Sequence, residues 1–537
     1  MNKPVAPATV SAVGAVTEAA LPKSVRLYLY FSAAVTGAAI LIVEILGANM
    51  LKPYFGSSHF VWTAQIAVTL VSLAAGYYLG GILADRSPAL GRMYAAILAA
   101  AIYLCVTVPL TPPVAFACLK LGVAPGSLVA AIFLFFPPLT LLAVVGPFLV
   151  RNFTRSVGTV GGQVGRISAL STLGSVAGTL LIGYAVIPFL PNSITMYLTA
   201  VALMVVSVIY FFLLTKKSPG PRATAVVAAN LLLGLGAGYA GIRQDLELKI
   251  PHFEELERRN SYFGQMLVIQ HTNRLQRYYL NDLLTQNTYD PGQKKSTSMF
   301  TCMLHGLAHA YTPKIEDALC IGLGIGIVPM DLARDGARVD VVEINPAMPG
   351  LAQRHFHFAP EKMRVLIDDG RHYLNECEKR YDTVVLDAFL GDSSPSHLMT
   401  REAFAAMRRV LRPNGTLVIN SFGDLDQGRN FFTASLERTL GAVFKSVVIH
   451  AAPGGGNILF VASDNPDLKI LREPDYERMH PYPRLAAEAA FGNVVSTPPG
   501  TGRVLTDDYN PVEFYDAANR ERVRLNLLSF WRGLETE

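Results

Sequence analysis

The chain has 537 residues, of which 51% are hydrophobic and 16% charged, with a formal net charge of +5. Soluble domains carry about a quarter charged residues, so the average excludes an ordinary soluble enzyme over the whole length. No basic stripe argues for nucleic acid. The five cysteines (Cys105, Cys118, Cys302, Cys320 and Cys377) lack CxxC spacing, which gives neither a disulfide framework nor a cysteine zinc site.

Residues 1–25 read as a tail, rich in Ala, Val, Pro and Thr at its start and without the basic-then-apolar pattern of a signal peptide. Residues 26–242 read as a helical membrane domain. Apolar runs of spanning length, about 20 residues, fall near 27–51, 60–83, 94–111, 126–150, 168–190, 193–214 and 223–242. The segment 113–124 is too short to span and holds Lys120, so it is expected at the interface. Gly76 and Gly80, and Gly174 and Gly178, recur at spacing four, as in membrane helices that pack closely. Glu44 is a carboxylate inside an apolar run, which costs free energy unless paired or hydrated. A structural hydrogen bond or protonated acid is the simpler reading, and a substrate or proton site the other.

From residue 243 to 537 the composition becomes that of a soluble domain. SYFGQMLVIQHTNRLQRYYLND alternates apolar and polar residues about a turn at His271–Asn273, predicting a small β-hairpin region. A helix is expected over 296–311. Then DALCIGLGIGIVPMDLARDG gives a strand, a glycine loop and a helix start, followed by strands in ARVDVVEINP, MRVLIDDGR, YDTVVLDAF and GTLVINSF. Strands alternating with helices predict a doubly wound parallel sheet, a Rossmann-like α/β domain. Ligands in such sheets lie outside the carboxyl ends of the strands.

Gly322, Gly324 and Gly326 would let backbone approach a ligand at a helix N-terminus. Glu343, about 20 residues on, would accept hydrogen bonds from ribose hydroxyls. Asp368 and Asp369, with Gly370, would meet adenine, and Asp387 the reacting end of the ligand. No GK[ST] follows the glycines, which excludes a P-loop. The set favours an S-adenosyl compound over NAD.

Residues from about 257 to 440 resemble the spermidine/spermine synthase (polyamine aminopropyltransferase) family. SYFG, the glycine loop, VVEINP, DDGRHYL and LDAF before a Ser/Pro loop occur in the family's order. VEILGANMLKPYFGSSHFVWT, GYYLGGILADR, LSTLGSVAGTLLIGYAVIPFLP and LTDDYNPVEFY are similar to membrane proteins fused to such domains. The resemblance implies no prosthetic group and a co-substrate, decarboxylated S-adenosylmethionine or S-adenosylmethionine. It makes Asp387 the base for an acceptor amine, with Asp392 and His397 as assistants and Gln286 as a nucleoside contact.

The sequence departs from the family at the amine-recognition end. Ile325 replaces the acid of the glycine loop, Phe300, Thr301 and Cys302 replace a Tyr-His-Glu stretch, and Gly264 replaces a Gln. The implied partners are a small-molecule amine or other acceptor and the lipid bilayer; homo-oligomerisation stays open.

Two rival functions remain. One is an S-adenosylmethionine-dependent methyltransferase. The other is a transporter or sensor with a regulatory nucleotide domain, since GGILADRSPALGR loosely resembles a major-facilitator loop. The basic residues Lys23/Arg26, Arg86/Arg92, Arg151/Arg155/Arg166 and Lys216/Lys217/Arg222 fall on one side if spans alternate. That puts the N-terminus in the cytoplasm and, after an odd number of spans, the C-terminal domain opposite. Donor supply argues instead for a cytoplasmic domain on an inner (plasma) membrane protein, and that is the expectation.

Overall fold

The computed structural model describes residues 22–56, 59–154, 160–187, 189–214, 221–246, 252–389, 395–452, 456–515, 519, 521 and 522. Six helices among them are long and apolar enough to cross a bilayer. These are α1 (Lys23–Phe55), α2 (His59–Arg86), α3 (Leu90–Leu119), α4 with α5 (Val123–Ala143 and Val145–Phe153), α6 (Val160–Leu180, continued by a π-helical turn) and α7 (Asn192–Ile209). Most of the tail, 1–21, lies outside the described residues, and α1 already begins at Lys23.

The glycine pairs mark the close contacts between helices. A Cβ on Gly76 would stand 2.5 Å from the Thr140 carbonyl oxygen, and one on Gly80 2.9 Å from the Val144 Cα, so α2 lies directly on α4 and α5. On the other side of the bundle, a Cβ on Gly174 would stand 2.0 Å from the Ala34 carbonyl oxygen, and one on Gly178 2.9 Å from that of Ala38. α1 and α6 therefore meet backbone to backbone, which supplies dispersion contacts where lipid gives no hydrophobic drive.

One expectation is corrected in this half. Residues 113–119 are not a separate short segment but the last turns of α3, with Pro109, Pro112 and Pro113 accommodated within the helix. The expected seventh apolar run lies in α8 (Pro221–Leu246), whose described residues include the apolar stretch Leu231–Arg243. Gly234 of α8 faces Ile102, and Gly241 faces Val108 and Pro109, so α8 runs beside α3 in the same direction.

The soluble half opens with an antiparallel sheet larger than the expected hairpin. Its strands are β1 (Phe253–Ser261), β2 (Gly264–His271), β3 (Arg277–Asn281), β4 (Leu284–Asp290) and β5 (Lys295–Ser296), paired in that order. The expected turn at His271–Asn273 joins β2 to β3. After α9 (Met299–Tyr311) come β6 (Asp317–Ile321), α10 (Ile327–Arg334), β7 (Arg338–Glu343), α11 (Met348–Phe356), β8 (Arg364–Ile367), α12 (Gly370–Glu376) and β9 (Tyr381–Leu386). Then follow α13 (Arg401–Val410), β10 (Leu411–Gly423), α14 (Phe431–Gly441), β11 (Ser446–Ala451), β12 (Gly456–Ser463), α15 (Pro481–Gly492) and β13 (Val494–Val495).

The second sheet has the order β13-β11-β12-β10-β9-β6-β7-β8. β8, β7, β6, β9 and β10 are mutually parallel, but β12 pairs antiparallel to both β10 and β11. The sheet is thus mixed and not purely parallel, since the short β11–β12 connection can only reverse the chain. Buried side chains pack on both faces of its parallel strands, as crossover helices require.

A larger side chain tests the membrane packing. Gly174→Val should push α6 off α1 and lower stability by about 1–3 kcal/mol, the usual cost of overpacking. Thermal unfolding of the detergent-solubilised chain measures it, and a midpoint equal to the parent's would contradict the close contact.

Candidate functional site

β6 and β9 are neighbours, with β7 beyond one and β10 beyond the other, so strand order reverses between them. Their carboxyl ends open a crevice at this switch point. A cavity of about 910 Å³, including solvent at its mouth, lies there, lined by Gly322, Gly324, Glu343, Asp369, Gly370, Asp387 and Gln286 among others. The structure thus brings together most of the residues that the sequence singled out.

The glycine loop is built by contact. Gly322 has φ +94°, and a Cβ there would stand 2.2 Å from the Asp387 carbonyl oxygen. No side chain fits between the ends of β6 and β9. Gly324 lines the cavity, whereas Gly326 caps α10 in the left-handed region against Phe358 and is not among the lining residues.

Glu343 ends β7 facing the cavity, nearly buried. Its Oε2 accepts the Leu323 N–H at 2.9 Å and its Oε1 the Asn345 N–H at 2.8 Å. Burial raises its pKa against these two bonds. The two N–H groups fix the carboxylate's orientation and leave acceptor positions on both oxygens for a diol.

Past β8 the two acids separate. Asp369 lines the cavity and caps α12, its Oδ1 accepting N–H bonds from Arg371 and His372, while its Oδ2 lies 3.1 Å from His397 Nε2. Burial would raise its pKa, but the bonds from His372, Arg371 and His397 leave it lowered. Asp368 turns instead to His372, 2.9 Å away, and does not line the cavity. A direct contact of Asp368 with a base in this cavity is therefore not supported by its position.

Asp387 ends β9. Its Oδ1 accepts a hydrogen bond from Asn420 Nδ2 at 2.9 Å, and Asn420 Oδ1 accepts one from Asn457 Nδ2 at 2.9 Å. With no cation beside it among the described residues, burial pushes its pKa up to about 6. Sequence reading missed Asn420 and Asn457. The available signal was a polar residue inside each of two apolar strand runs, VIN and NILF.

Gln286 lines the cavity with Asn287, another residue the sequence reading passed over. Phe263, Phe300 and Phe389 also line the cavity. Ile325 is 1% exposed and belongs to the hydrophobic core, so it presents nothing to an amine. Thr301 bonds to Ser296 and Ser298, and burial pushes the Cys302 thiol up to about 11. Gly264, at φ +107°, begins β2. Asp392 falls in 390–394, outside the described residues, while His397 lines the cavity beside Asp369.

Residues 318–415 match the family model described as "Methyltransferase domain". The chain is 39% identical over 140 residues to a polyamine aminopropyltransferase of Vibrio vulnificus, covering 25% of this chain and 46% of that protein. It is 24% identical over 368 residues to a polyamine aminopropyltransferase of Oceanobacillus iheyensis, covering 64% of this chain and 69% of the relative. An N-terminal histidine N-methyltransferase of Emericella nidulans is 32% identical over 145 residues, covering 26% of this chain and 25% of that protein. The match to the Vibrio protein thus spans less than half of that relative's length.

The geometry at β7 gives a measurable expectation. Glu343→Ala should weaken 5′-methylthioadenosine binding by about 1–3 kcal/mol, the usual loss for a hydrogen bond to a charged group. Calorimetry measures it, and unchanged affinity would remove the ribose role.

Proposed function

We propose that this relative of the polyamine aminopropyltransferases is a membrane-bound transferase of polyamine biosynthesis. It moves an aminopropyl group from decarboxylated S-adenosylmethionine to a small amine. The observation that carries the proposal is Asp387, a buried carboxylate without a cation among the described residues, at the crevice between β6 and β9. Residues 243–537 form the catalytic unit and 26–242 the helical unit.

In this reading Glu343 holds the ribose, Asp369 and Gly370 border the adenine, and Gln286 touches the nucleoside. The acceptor nitrogen must be neutral to attack. It forms a bond to the propyl carbon while the carbon–sulfur bond breaks and sulfur keeps the electron pair, leaving 5′-methylthioadenosine. Asp387 takes the proton that the amine loses. Because a sulfonium leaves readily, positioning supplies much of the rate. Glu343, Asp369 and Asp387 are the only carboxylates among the described lining residues, which also include Phe263, Phe300 and Phe389.

Methyl transfer from S-adenosylmethionine is the second reading, favoured by the methyltransferase model over 318–415 and by the loss of the glycine-loop acid at Ile325. Calorimetry separates the two: tighter binding of decarboxylated S-adenosylmethionine supports aminopropyl transfer, and preference for the carboxylated donor supports methyl transfer.

Sidedness is part of the proposal. Lys23, Arg26, Arg86, Arg92, Arg151 and Arg166 lie toward one end of the helical bundle, with Lys52 and Lys120 at the other. The α/β half meets the second end: Lys52 pairs with Asp282 at 2.8 Å, and the Val123 N–H points to Glu521 at 3.4 Å. With α8 running parallel to α3, the positive-inside rule favours an α/β half on the extracytoplasmic face, against the donor-supply expectation of the cytoplasm. A site there draws its donor from outside the cell or through the helical half.

Two measurements test these readings. Asp387→Asn should lower turnover about 100- to 10,000-fold while methylthioadenosine binding stays near the parent's. The base works only when deprotonated, so parent turnover should fall as pH drops through about 6. Joint loss of binding and stability, or a flat pH profile down to pH 5, would leave Asp387 a turn-capping residue. For sidedness, a reporter active only outside the cytoplasm, fused after Glu537, should give signal. A silent reporter would return the domain to the cytoplasm.

A further inference from the structure

α9 carries a second constellation, on its end remote from the crevice. His305 and His309 are one helical turn apart and project from the same face. Asp335, at the C-terminal end of α10, faces both rings. Its Oδ2 lies 2.7 Å from His305 Nε2 and 3.0 Å from His309 Nε2, and all three donor atoms lie within 4.8 Å of one another. The side chains are only 15–25% exposed.

Hydrogen bonding alone does not account for this arrangement. The His305 Nε2 bond to Asp335 is well formed, but His309 Nε2 is buried and makes no aligned hydrogen bond despite its 3.0 Å approach. Burying an unsatisfied ring nitrogen is costly. The other carboxylate oxygen, Oδ1, accepts a hydrogen bond from Arg478 at 2.9 Å, which fixes the plane of the carboxylate with Oδ2 toward the rings.

We propose that His305, His309 and Asp335 form a binding site for a first-row divalent cation, with Zn²⁺ the best fit. Two imidazole nitrogens and one carboxylate oxygen suit its borderline character, and solvent completes a tetrahedron. Tetrahedral nitrogen and oxygen ligands at about 2.0–2.2 Å from zinc stand roughly 3.3–3.6 Å apart, so Asp335 Oδ2 would draw back from the two nitrogens, now at 2.7 and 3.0 Å, by less than about 1 Å. The site lies outside the nucleoside cavity, and none of its ligands lines that cavity.

Its role follows from the two helices it joins. The first turn of α9 presents Phe300 to the cavity, and the loop before α10 presents Gly322 and Gly324. A cation bridging the far ends of these helices clamps the angle between two walls of the crevice. It is a positioning site, and the transfer chemistry does not pass through it.

The test uses the full chain in detergent, stripped of metal with a chelator. Zn²⁺ titration against a chromophoric competitor should show one tight site per chain. Co²⁺ in its place should give the visible absorption of a four-coordinate nitrogen–oxygen site. His305→Ala combined with His309→Ala should weaken Zn²⁺ binding at least 100-fold, while Arg478→Ala, which leaves all three ligands, should weaken it less than tenfold. Methylthioadenosine binding by each variant reports that the domain is folded. Absence of stoichiometric Zn²⁺ binding by the parent would overturn the proposal, as would equal binding by a folded double variant. Should the double variant fail to fold, the parent's Co²⁺ spectrum decides, and a six-coordinate, water-like spectrum refutes the site.

Discussion

The ends of β6 and β9 approach until the Asp387 carbonyl oxygen is 2.2 Å from where a Cβ on Gly322 would stand. That approach sets the geometry of the crevice. It is held by backbone bonds, with the Asp387 N–H donating to Ile321 at 3.0 Å and the Gly322 N–H donating to Val342 at 2.8 Å. Three strand ends are thereby tied to one another. Any L side chain at position 322 would also meet the strain of φ +94°. The glycine therefore does two jobs: it lets the chain turn away from β6, and it lets β9 end beside it.

The carboxylates of the sheet fall into two kinds by what faces them. At the amino ends of the strands, Asp317 accepts from Arg338 at 2.6 Å and Arg412 at 2.7 Å, with Lys379 at 3.3 Å, and its pKa is held well below the ordinary range. Asp382 shares Arg412 and is lowered as well. These acids tie β6, β7, β9 and β10 together and are saturated with cations. At the carboxyl ends, Glu343 and Asp387 are buried with amide donors but no cation among the described residues, and both are raised. A buried acid left without a counter-charge is destabilised, and such perturbed groups cluster at functional sites. The same sheet uses acids for cohesion at one end of its strands and holds buried acids without a described counter-charge at the other.

How much of this was legible in the sequence follows from which signals are local. The glycine loop, the strand ends at Glu343 and Asp387 and the small-residue pairs of the helices are short patterns with one physical meaning, and they were read. Strand direction is not local: nothing in NILFVAS says that β12 runs against β10, so the sheet was expected parallel. The division between Asp368 and Asp369 depends on one peptide's orientation at a helix cap. It could not be read from two adjacent acids. Asn420 and Asn457 come together across β10 and β12 only through their register. The His305–His309 spacing was visible on a helix, but its third member, Asp335, stands 26 residues on and joins it only when α10 folds back beside α9.

The two halves of the chain meet at the tip of the β3–β4 hairpin, and this contact lies next to the crevice. The turn places Asp282 and Leu283 at φ +47° and +63°, the left-handed pair that a tight two-residue hairpin demands. Asp282 is 7% exposed; its Oδ1 accepts the Gln265 N–H, and its Oδ2 pairs with Lys52 at the end of α1. Neighbouring Asn281 lines the cavity and donates to the Phe263 carbonyl, and Phe263 is one of the cavity's aromatic walls. Without Lys52 the Asp282 carboxylate would be buried with its charge uncompensated, a costly arrangement. The hairpin therefore cannot leave α1 without disturbing Asn281. Lys52 with Asp282 and Val123 with Glu521 thus join the helical half to the α/β half, and the first of these contacts stands beside Asn281 in the wall of the cavity.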